Sequence, residues 1–141
     1  MKKVFLLPTA LATVLLFSAC GSVVVNKAAD LDLTQLSDTL AYSELVNITS
    51  RPSNYIGKTI RLKGQNMSFY SDETGTEYHA VFVNDATSCC AQGLEYCLAD
   101  TSGYPAVETE ITVTGTLTPY EEMGRLYYHL SDAAWTAEQT A

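Results

Sequence analysis

Five stretches of the chain are typical of β-strands, either because apolar and polar residues alternate or because β-branched and aromatic residues are abundant. In the clearest of them, ETEITVTGTLTPY, the apolar positions run from Ile111 to Leu117 and threonines occupy the positions between. Because successive side chains of a strand point to opposite faces of a sheet, this alternation predicts a strand with one buried face. The five predicted strands are residues 59–70, 78–85, 93–100, 108–120 and 125–135.

The first predicted strand changes phase in its middle. Ile60 and Leu62 occupy one face at its start, whereas Met67 and Phe69 supply the apolar positions at its end. The two pairs share a face only if the strand bends between them, and Gly64 lies at that point. A glycine inside a strand often marks a bulge or a sharp bend. We therefore predict a bend at Gly64.

A short helix is predicted before the strands, in the segment TLAYSELVNITSRPSN. Ser43 is the predicted N-cap, and Glu44 places a negative charge in the first turn, where it suits the helix dipole. Pro52 is expected to end the helix near Ser50 or Arg51, because the residue before a proline avoids helical backbone angles.

Five strands of this kind, with a bend in the first, predict a small closed barrel. Closure removes the exposed strand edges that invite aggregation. Trp135, at the end of the last predicted strand, is expected to cover an open end of the barrel. The predicted fold class is therefore mainly β, and the barrel domain is expected to occupy residues 39–141.

Three segments, YIGKTIRLKGQ, DATSCCAQGLEY and ITVTGTL, resemble an OB-fold family of uncharacterised, firmicute-type bacterial lipoproteins. The resemblance covers roughly residues 42–130 and implies a small five-stranded OB-like barrel preceded by a short helix. A related pattern occurs in the soluble domain of a bacterial permease subunit, which implies an accessory role in transport. Cys97 departs from the family pattern and takes no role from it.

The N-terminal segment is typical of a lipoprotein signal peptide. A charged start precedes an apolar run from Val4 to Phe17, which is shorter than the roughly 20 residues that a membrane-spanning helix needs. LFSACG resembles the bacterial lipobox, which implies cleavage before Cys20 and a lipid group on its sulfur. We expect residues 1–19 to be the signal peptide and residues 20–38 to be the lipidated cysteine and a tether. A plain secretory signal or an uncleaved anchor is the alternative.

The charge of the mature chain limits its partners. Removal of residues 1–19 takes away two lysines and leaves 6 basic and 16 acidic residues, a net charge of −10. Such a surface repels the phosphates of nucleic acids and of anionic lipids. We therefore expect no nucleic-acid partner, and we expect membrane contact only through the lipid, with the domain outside the cytoplasm.

The cysteines leave several alternatives open. Cys89 and Cys90 are adjacent, and a bond between them would be strained, since neighbouring Cα atoms lie about 3.8 Å apart and disulfides prefer about 5.5–6 Å. Cys97 could instead form a disulfide staple with either of them. Free thiols packed as small apolar groups at a tight turn are a third interpretation.

Metal binding and thiol chemistry are the functional alternatives at the same cysteines. Adjacent thiolates suit a soft ion such as Zn²⁺ or Cu⁺, and His79 on the preceding strand is a candidate third ligand, although the spacing matches no familiar metal motif. A core position is the other interpretation of His79, because it alternates with apolar Val81. A thiol oxidoreductase needs a depressed cysteine pKa, and no basic residue lies beside Cys89 or Cys90 to supply it.

A binding surface is predicted by analogy with other OB-like barrels, which bind ligands on strands two and three and on the loops around them. Tyr70, Tyr78, Glu121 and Tyr127 are the candidate ligand-binding residues. Tyrosines stack on bases or sugars, but the carboxylates disfavour a phosphate backbone, so a cationic peptide, a sugar, a divalent ion or a basic protein fits better. Ordinary strand tyrosines and solvated hairpin tips are the alternative interpretation.

The leading functional hypothesis is therefore a lipid-anchored, non-enzymatic binding or accessory module outside the cytoplasm. Its ligand is a small molecule or a protein partner, such as a membrane permease, and no catalytic residues are nominated because no catalytic motif is present. A metal-binding lipoprotein that uses Cys89 and Cys90 is the first alternative, and a thiol redox protein is the second.

Overall fold

The computed structural model describes residues 28–100 and 103–137. The predicted signal peptide, Cys20 and the first part of the predicted tether lie outside the described residues. Within them, the chain is mainly β, as predicted, and it forms one six-stranded sheet and one α-helix. No helix among the described residues is both long and apolar enough to cross a bilayer. The elements are β1 (Leu31–Asp32), α1 (Asp38–Ser50), β2 (Thr59–Ser71), β3 (Thr76–Asn84), β4 (Ala91–Leu98), β5 (Glu110–Glu122) and β6 (Arg125–Ala137).

All five long strands follow the predicted positions, and each pairs with two of the others. β2 pairs antiparallel with β5 over residues 59–65 and with β3 over residues 65–71. β3 pairs antiparallel with β4, β4 pairs parallel with β6, and β6 pairs antiparallel with β5. The pairings thus lead from β2 through every long strand and back to β2. The short strand β1, which was not predicted, pairs parallel with the start of β2.

Gly64 lies where β2 changes partners, but the predicted change of phase is wrong. The buried side set by Ile60 and Leu62 continues to Asn66, which is fully buried, whereas Phe69 is 49% exposed. A Cβ atom on Gly64 would clash with the Phe82 carbonyl oxygen, at a separation that real side chains essentially never show. Glycine is therefore required at this position by the close approach of β3.

Asn66 is buried although the predicted change of phase placed it on the outer side of the strand, and its side-chain polar atoms have partners. Its Nδ2 donates to the carbonyl oxygens of Pro105 (2.9 Å) and Ala106 (3.2 Å). Its Oδ1 accepts from the Tyr96 hydroxyl at 2.7 Å. Asn66 therefore joins β2 to β4 and to the segment before β5.

Helix α1 starts earlier than predicted. Its N-cap is Ser37 rather than Ser43, whose hydroxyl instead donates to the Thr39 carbonyl oxygen within the helix. The predicted end is confirmed, because the last helical residue is Ser50 and Pro52 follows. The helix buries Leu45 and Ile48 completely against the sheet.

The core lies on the inner side of the long strands and under α1. Trp135 packs at its margin, and its indole Nε1 donates to the Gly103 carbonyl oxygen at 2.7 Å. The fully or almost fully buried aliphatic residues are Leu33, Leu45, Ile48, Ile60, Leu62, Val81, Leu94, Ile111, Val113, Leu117 and Leu130. Because strand residues alternate, the neighbours of Leu94 and Leu130, Glu95 and His129, lie on the outer side.

Candidate functional site

The turn between β3 and β4 holds Asp85, Cys89 and Cys90 close together. The backbone N–H of Asp85 donates to the Cys90 carbonyl oxygen at 2.9 Å, which closes the turn at its base. Ser88, at its tip, adopts a left-handed backbone conformation with φ of 55°. We call these three residues, Asp85, Cys89 and Cys90, the thiol–carboxylate turn.

The Asp85 carboxylate organises this turn. Its Oδ1 accepts from the backbone N–H groups of Cys89 (3.0 Å) and Cys90 (3.4 Å). Its Oδ2 accepts from the Thr87 hydroxyl at 2.9 Å and lies 3.4 Å from Cys89 Sγ. Desolvation alone would raise the pKa of Asp85, but the hydrogen bonds from Thr87, Cys89 and Cys90 outweigh it and lower the pKa. The carboxylate is therefore held in its ionised form.

The two adjacent thiols are free and exposed, and their Sγ atoms lie 3.5 Å apart. The hydrogen bond with Cys89, then desolvation and the negative charge of Asp85, raises the pKa of Cys90. A nucleophilic or redox-active thiol needs a shift in the opposite direction. The electrostatics of the turn therefore do not favour thiol catalysis.

The alternative of a disulfide staple to Cys97 is wrong. Cys97 is a free thiol near the end of β4, which is extended from Ala91 onward. Six residues of extended strand lie between it and Cys90, which places the two Cα atoms about 20 Å apart, whereas a disulfide needs Cα atoms within about 7 Å. Residues 91–93, which a staple would need as a turn, instead belong to β4.

His79, the predicted third metal ligand, lies away from the thiol–carboxylate turn. It is in the middle of β3, about 17 Å along the strand from the last residue, Asn84. Its ring stacks on Tyr104 with centroids 3.6 Å apart, and its Nδ1 is buried without a hydrogen-bond partner among the described residues. Desolvation lowers the pKa of His79. The group whose ligand atoms all lie within 4.8 Å of one another is Asp85, Cys89 and Cys90.

A second cluster covers the outer side of β3, β4, β5 and β6. It is held together by hydrogen bonds and ring contacts between side chains of different strands. We call it the tyrosine–glutamate face, and its members are Tyr78, Glu95, Tyr120, Glu122, Tyr127 and His129.

Glu95 lies at the centre of the tyrosine–glutamate face. Its Oε2 accepts from the Tyr120 hydroxyl at 2.7 Å, and its Oε1 lies 3.5 Å from His129 Nδ1. The Tyr120 ring also stacks on Tyr127 and on His129, with centroids 5.5 and 4.7 Å apart. Desolvation raises the pKa of Glu95, and the neighbouring Glu122 adds to this, although the hydrogen bonds oppose it. A half-buried carboxyl group in aromatic surroundings is thus the main electrostatic feature of the face.

Tyr78 and Glu122 connect the tips of two hairpins at the edge of this face. The Tyr78 hydroxyl donates to Glu122 Oε1 at 2.5 Å and lies 2.8 Å from the Thr74 hydroxyl. The hydrogen bond to Glu122 raises the pKa of Tyr78. The β2–β3 and β5–β6 hairpins are therefore held beside each other.

The predicted ligand-binding residues divide between two sides of the strands. Tyr78 and Tyr127 belong to the tyrosine–glutamate face, and Tyr127 is 38% exposed there. Tyr70 pairs with Glu77, and Glu121 pairs with Leu126. Tyr70 and Glu121 therefore lie on the opposite side of their strands from the tyrosine–glutamate face.

Four members of the face were not nominated from the sequence: Glu95, Tyr120, Glu122 and His129. Tyr120 could have been found from the sequence, because a hairpin centred on Met123 and Gly124 pairs Tyr120 with the nominated Tyr127. The position of Glu95 beside His129 depends on the parallel pairing of β4 with β6, which local pattern does not reveal.

An open groove of about 410 Å³ adjoins the face. Its lining includes Glu95 and Tyr127 of the face, together with Thr49 and Pro52, which lie at the end of α1 and just beyond it. Leu126, which is 59% exposed, adds an apolar wall. The groove thus combines one half-buried carboxyl group with apolar and aromatic surface.

Comparison of the chain with protein-family models, with curated proteins and with solved structures finds no match.

Proposed function

We propose that this protein is a lipid-anchored, non-enzymatic binding module outside the cytoplasm, built on a five-stranded OB-like barrel. The barrel is supported by the strand pairings, which lead from β2 through all five long strands and back to it. The lipid anchor is supported by the LFSACG segment, in which Cys20 is the acceptor of the lipid. The anchor holds the domain near the membrane surface, where a permease or another membrane protein is a suitable partner.

The observation that carries the binding function is the tyrosine–glutamate face with its groove. OB-like barrels bind ligands between the hairpins that correspond to β2–β3 and β5–β6, and Tyr78 and Glu122 bring these two hairpins together. The face lies on the strands between them. The same position in the fold was expected from the sequence, through Tyr78 and Tyr127.

The chemistry of the face selects a cationic ligand. Glu95 and Glu122 supply negative charge, and the exposed ring of Tyr127 offers a surface for cation–π contact. The low polarity around Glu95 strengthens its attraction to a cation that replaces water there. Phosphate-containing ligands are disfavoured, because the face presents carboxylates and the mature chain is strongly acidic. We infer that the ligand is a basic segment of a protein partner, with a lysine or arginine in the groove.

The binding proposal is tested with a lysine-rich peptide as the probe, titrated into the protein and followed by calorimetry. Glu95→Gln and Tyr127→Ala are each expected to weaken binding about tenfold, since each removes a contact worth roughly 1–2 kcal/mol. Glu108→Gln is the matched control, because it removes the same charge from an exposed carboxylate before β5.

Two results distinguish a site from general charge attraction. If Glu108→Gln weakens binding as much as Glu95→Gln does, the peptide responds only to net charge and the proposal is wrong. Unchanged binding in Tyr127→Ala would also contradict it. The lipid anchor is tested separately, since Cys20→Ala is expected to release the protein from the membrane fraction.

A further inference from the structure

We propose that the thiol–carboxylate turn binds one zinc-type divalent cation, with Cys89 Sγ, Cys90 Sγ and one oxygen of Asp85 as its ligands. This site is independent of the tyrosine–glutamate face. It differs from the site expected from the sequence, because Asp85 takes the position assigned there to His79.

The separation of the ligand atoms fits a tetrahedral ion. The two Sγ atoms lie 3.5 Å apart, and all three ligand atoms are within 4.8 Å of one another. Two thiolates bound to tetrahedral zinc at about 2.3 Å are about 3.8 Å from each other. The thiols therefore need to move apart by only a few tenths of an ångström to bind the ion.

The turn holds the third ligand in place before an ion arrives. Backbone N–H groups of Cys89 and Cys90 bind Asp85 Oδ1, which leaves Oδ2 on the side of Cys89 Sγ, 3.4 Å away. Metal binding releases the two thiol protons, and Asp85 Oδ2 then exchanges its contact with Cys89 Sγ for a bond to the ion. Because the Oδ1 contacts come from the backbone, they persist in the metal-bound form.

The ligand set favours a borderline ion over a hard or a very soft one. Ca²⁺ and Mg²⁺ prefer oxygen ligands only, and Cu⁺ prefers sulfur, whereas Zn²⁺ accepts thiolate and carboxylate together. Two thiolates and one carboxylate carry three negative charges, so a bound Zn²⁺ leaves a net charge of −1. Three protein ligands leave a fourth position for water or for a donor from another molecule. Since the thiols are exposed, that position faces solvent.

The test uses the full chain, purified in detergent under reducing conditions without a chelator, and Zn²⁺ and Cd²⁺ as probes. Native mass spectrometry measures the number of ions bound, and competition with a chromophoric chelator measures affinity. Cd²⁺ reports the ligands directly, because cadmium–thiolate bonds absorb in the ultraviolet.

One Zn²⁺ per chain is expected, with a cadmium–thiolate band that corresponds to two sulfur ligands. Cys89→Ser and Cys90→Ser are each expected to weaken Zn²⁺ binding more than about 100-fold. Loss of a residue that only forms a hydrogen bond to a metal ligand typically costs about 10–100-fold. Asp85→Asn is expected to weaken it at least tenfold while the cadmium band stays. Cys97→Ser, the matched control for loss of an exposed thiol, and His79→Ala are expected to bind as the unchanged protein does.

Three results would overturn the proposal. The first is no stoichiometric Zn²⁺ binding by the reduced protein, and the second is equal loss of affinity in Cys97→Ser and Cys89→Ser. The third is a Cys89–Cys90 disulfide that persists under the reducing conditions, since a disulfide has no thiolate to offer. Circular dichroism of each variant verifies that the fold is retained, which is expected because the turn lies on the surface.

Discussion

Replacement of Asn66 by leucine tests how a polar residue stabilises the centre of this fold. The substitution keeps a side chain of similar size but removes both the donor and the acceptor. The Tyr96 hydroxyl and the Pro105 carbonyl group, both in buried residues, then lose their partners. The Ala106 carbonyl group belongs to an exposed residue, so water can replace the contact there.

The expected loss of stability in Asn66→Leu follows from the two buried groups left without a hydrogen-bond partner, the Tyr96 hydroxyl and the Pro105 carbonyl group. Each buried polar group without a partner costs about 1–3 kcal/mol, which gives about 2–6 kcal/mol for both. Burial of the leucine side chain returns about 1–2 kcal/mol. We therefore expect Asn66→Leu to lower the free energy of unfolding by about 3 kcal/mol, a large fraction of the 5–15 kcal/mol typical of a domain.

Urea denaturation of Asn66→Leu, Tyr96→Phe and the double variant measures this effect. Because the two side chains share a hydrogen bond, the double variant is expected to be more stable than the sum of the single losses predicts, by about 1–2 kcal/mol. A loss below about 1 kcal/mol in Asn66→Leu, or additivity within about 0.5 kcal/mol, would refute the argument.

Three other predictions concern a close backbone approach and two titrating groups. Gly64→Ala is expected to lower the free energy of unfolding by about 1–3 kcal/mol or more, the range for overpacking, because its Cβ would contact the Phe82 carbonyl group. Urea denaturation measures this loss. Gly103→Ala is the control, since a Cβ at that position meets no atom within 4 Å. The protein is expected to lose stability as the pH falls below about 6.5, because His79 is protonated more readily in the unfolded state than in the folded state. The free energy of unfolding then falls by at most about 1.4 kcal/mol per pH unit. Thermal or urea unfolding of His79→Phe is expected to show no such dependence on pH. Binding of the lysine-rich peptide is expected to weaken as the pH falls through the raised pKa of Glu95, and calorimetry across this range is expected to show no such change for Glu95→Gln.

Each of these predictions has an outcome that contradicts it. Equal stability of Gly64→Ala and Gly103→Ala would mean that β3 moves away at little cost. An unchanged pH slope in His79→Phe would show that other groups cause the loss of stability in acid. Peptide binding in Glu95→Gln that weakens over the same pH range would exclude Glu95 as the titrating group.

The strands could be predicted because each is rich in strand-forming residues and is separated from the next by a turn or loop. The buried residues of β2 could not all be predicted. Asn66 is buried because its side chain forms hydrogen bonds with Tyr96 and Pro105, which are distant in the sequence. Hydrophobicity alone placed Met67 and Phe69 inside. The helix start was misplaced for a local reason, because Ser37 and Ser43 are both acceptable capping residues and the Ser37 side chain makes no capping hydrogen bond that would distinguish it.

The candidate sites show the same division between local and distant information. Cys89 and Cys90 were found because they are adjacent, and Asp85 joins them through a turn only a few residues long. Tyr78 and Tyr127 were found through the expected binding surface of the fold. Glu95 was missed, since its partners come from β5 and β6 and depend on the strand order.

A nuclear magnetic resonance titration of the isotopically labelled protein with the lysine-rich peptide tests the central claim most directly. The proposed function predicts that the largest chemical-shift changes occur at Glu95, Tyr120, Tyr127 and His129 and along the groove beside Pro52. It also predicts that they saturate with one affinity. Changes scattered over all acidic residues, or centred on the turn from Asp85 to Cys90, would contradict it.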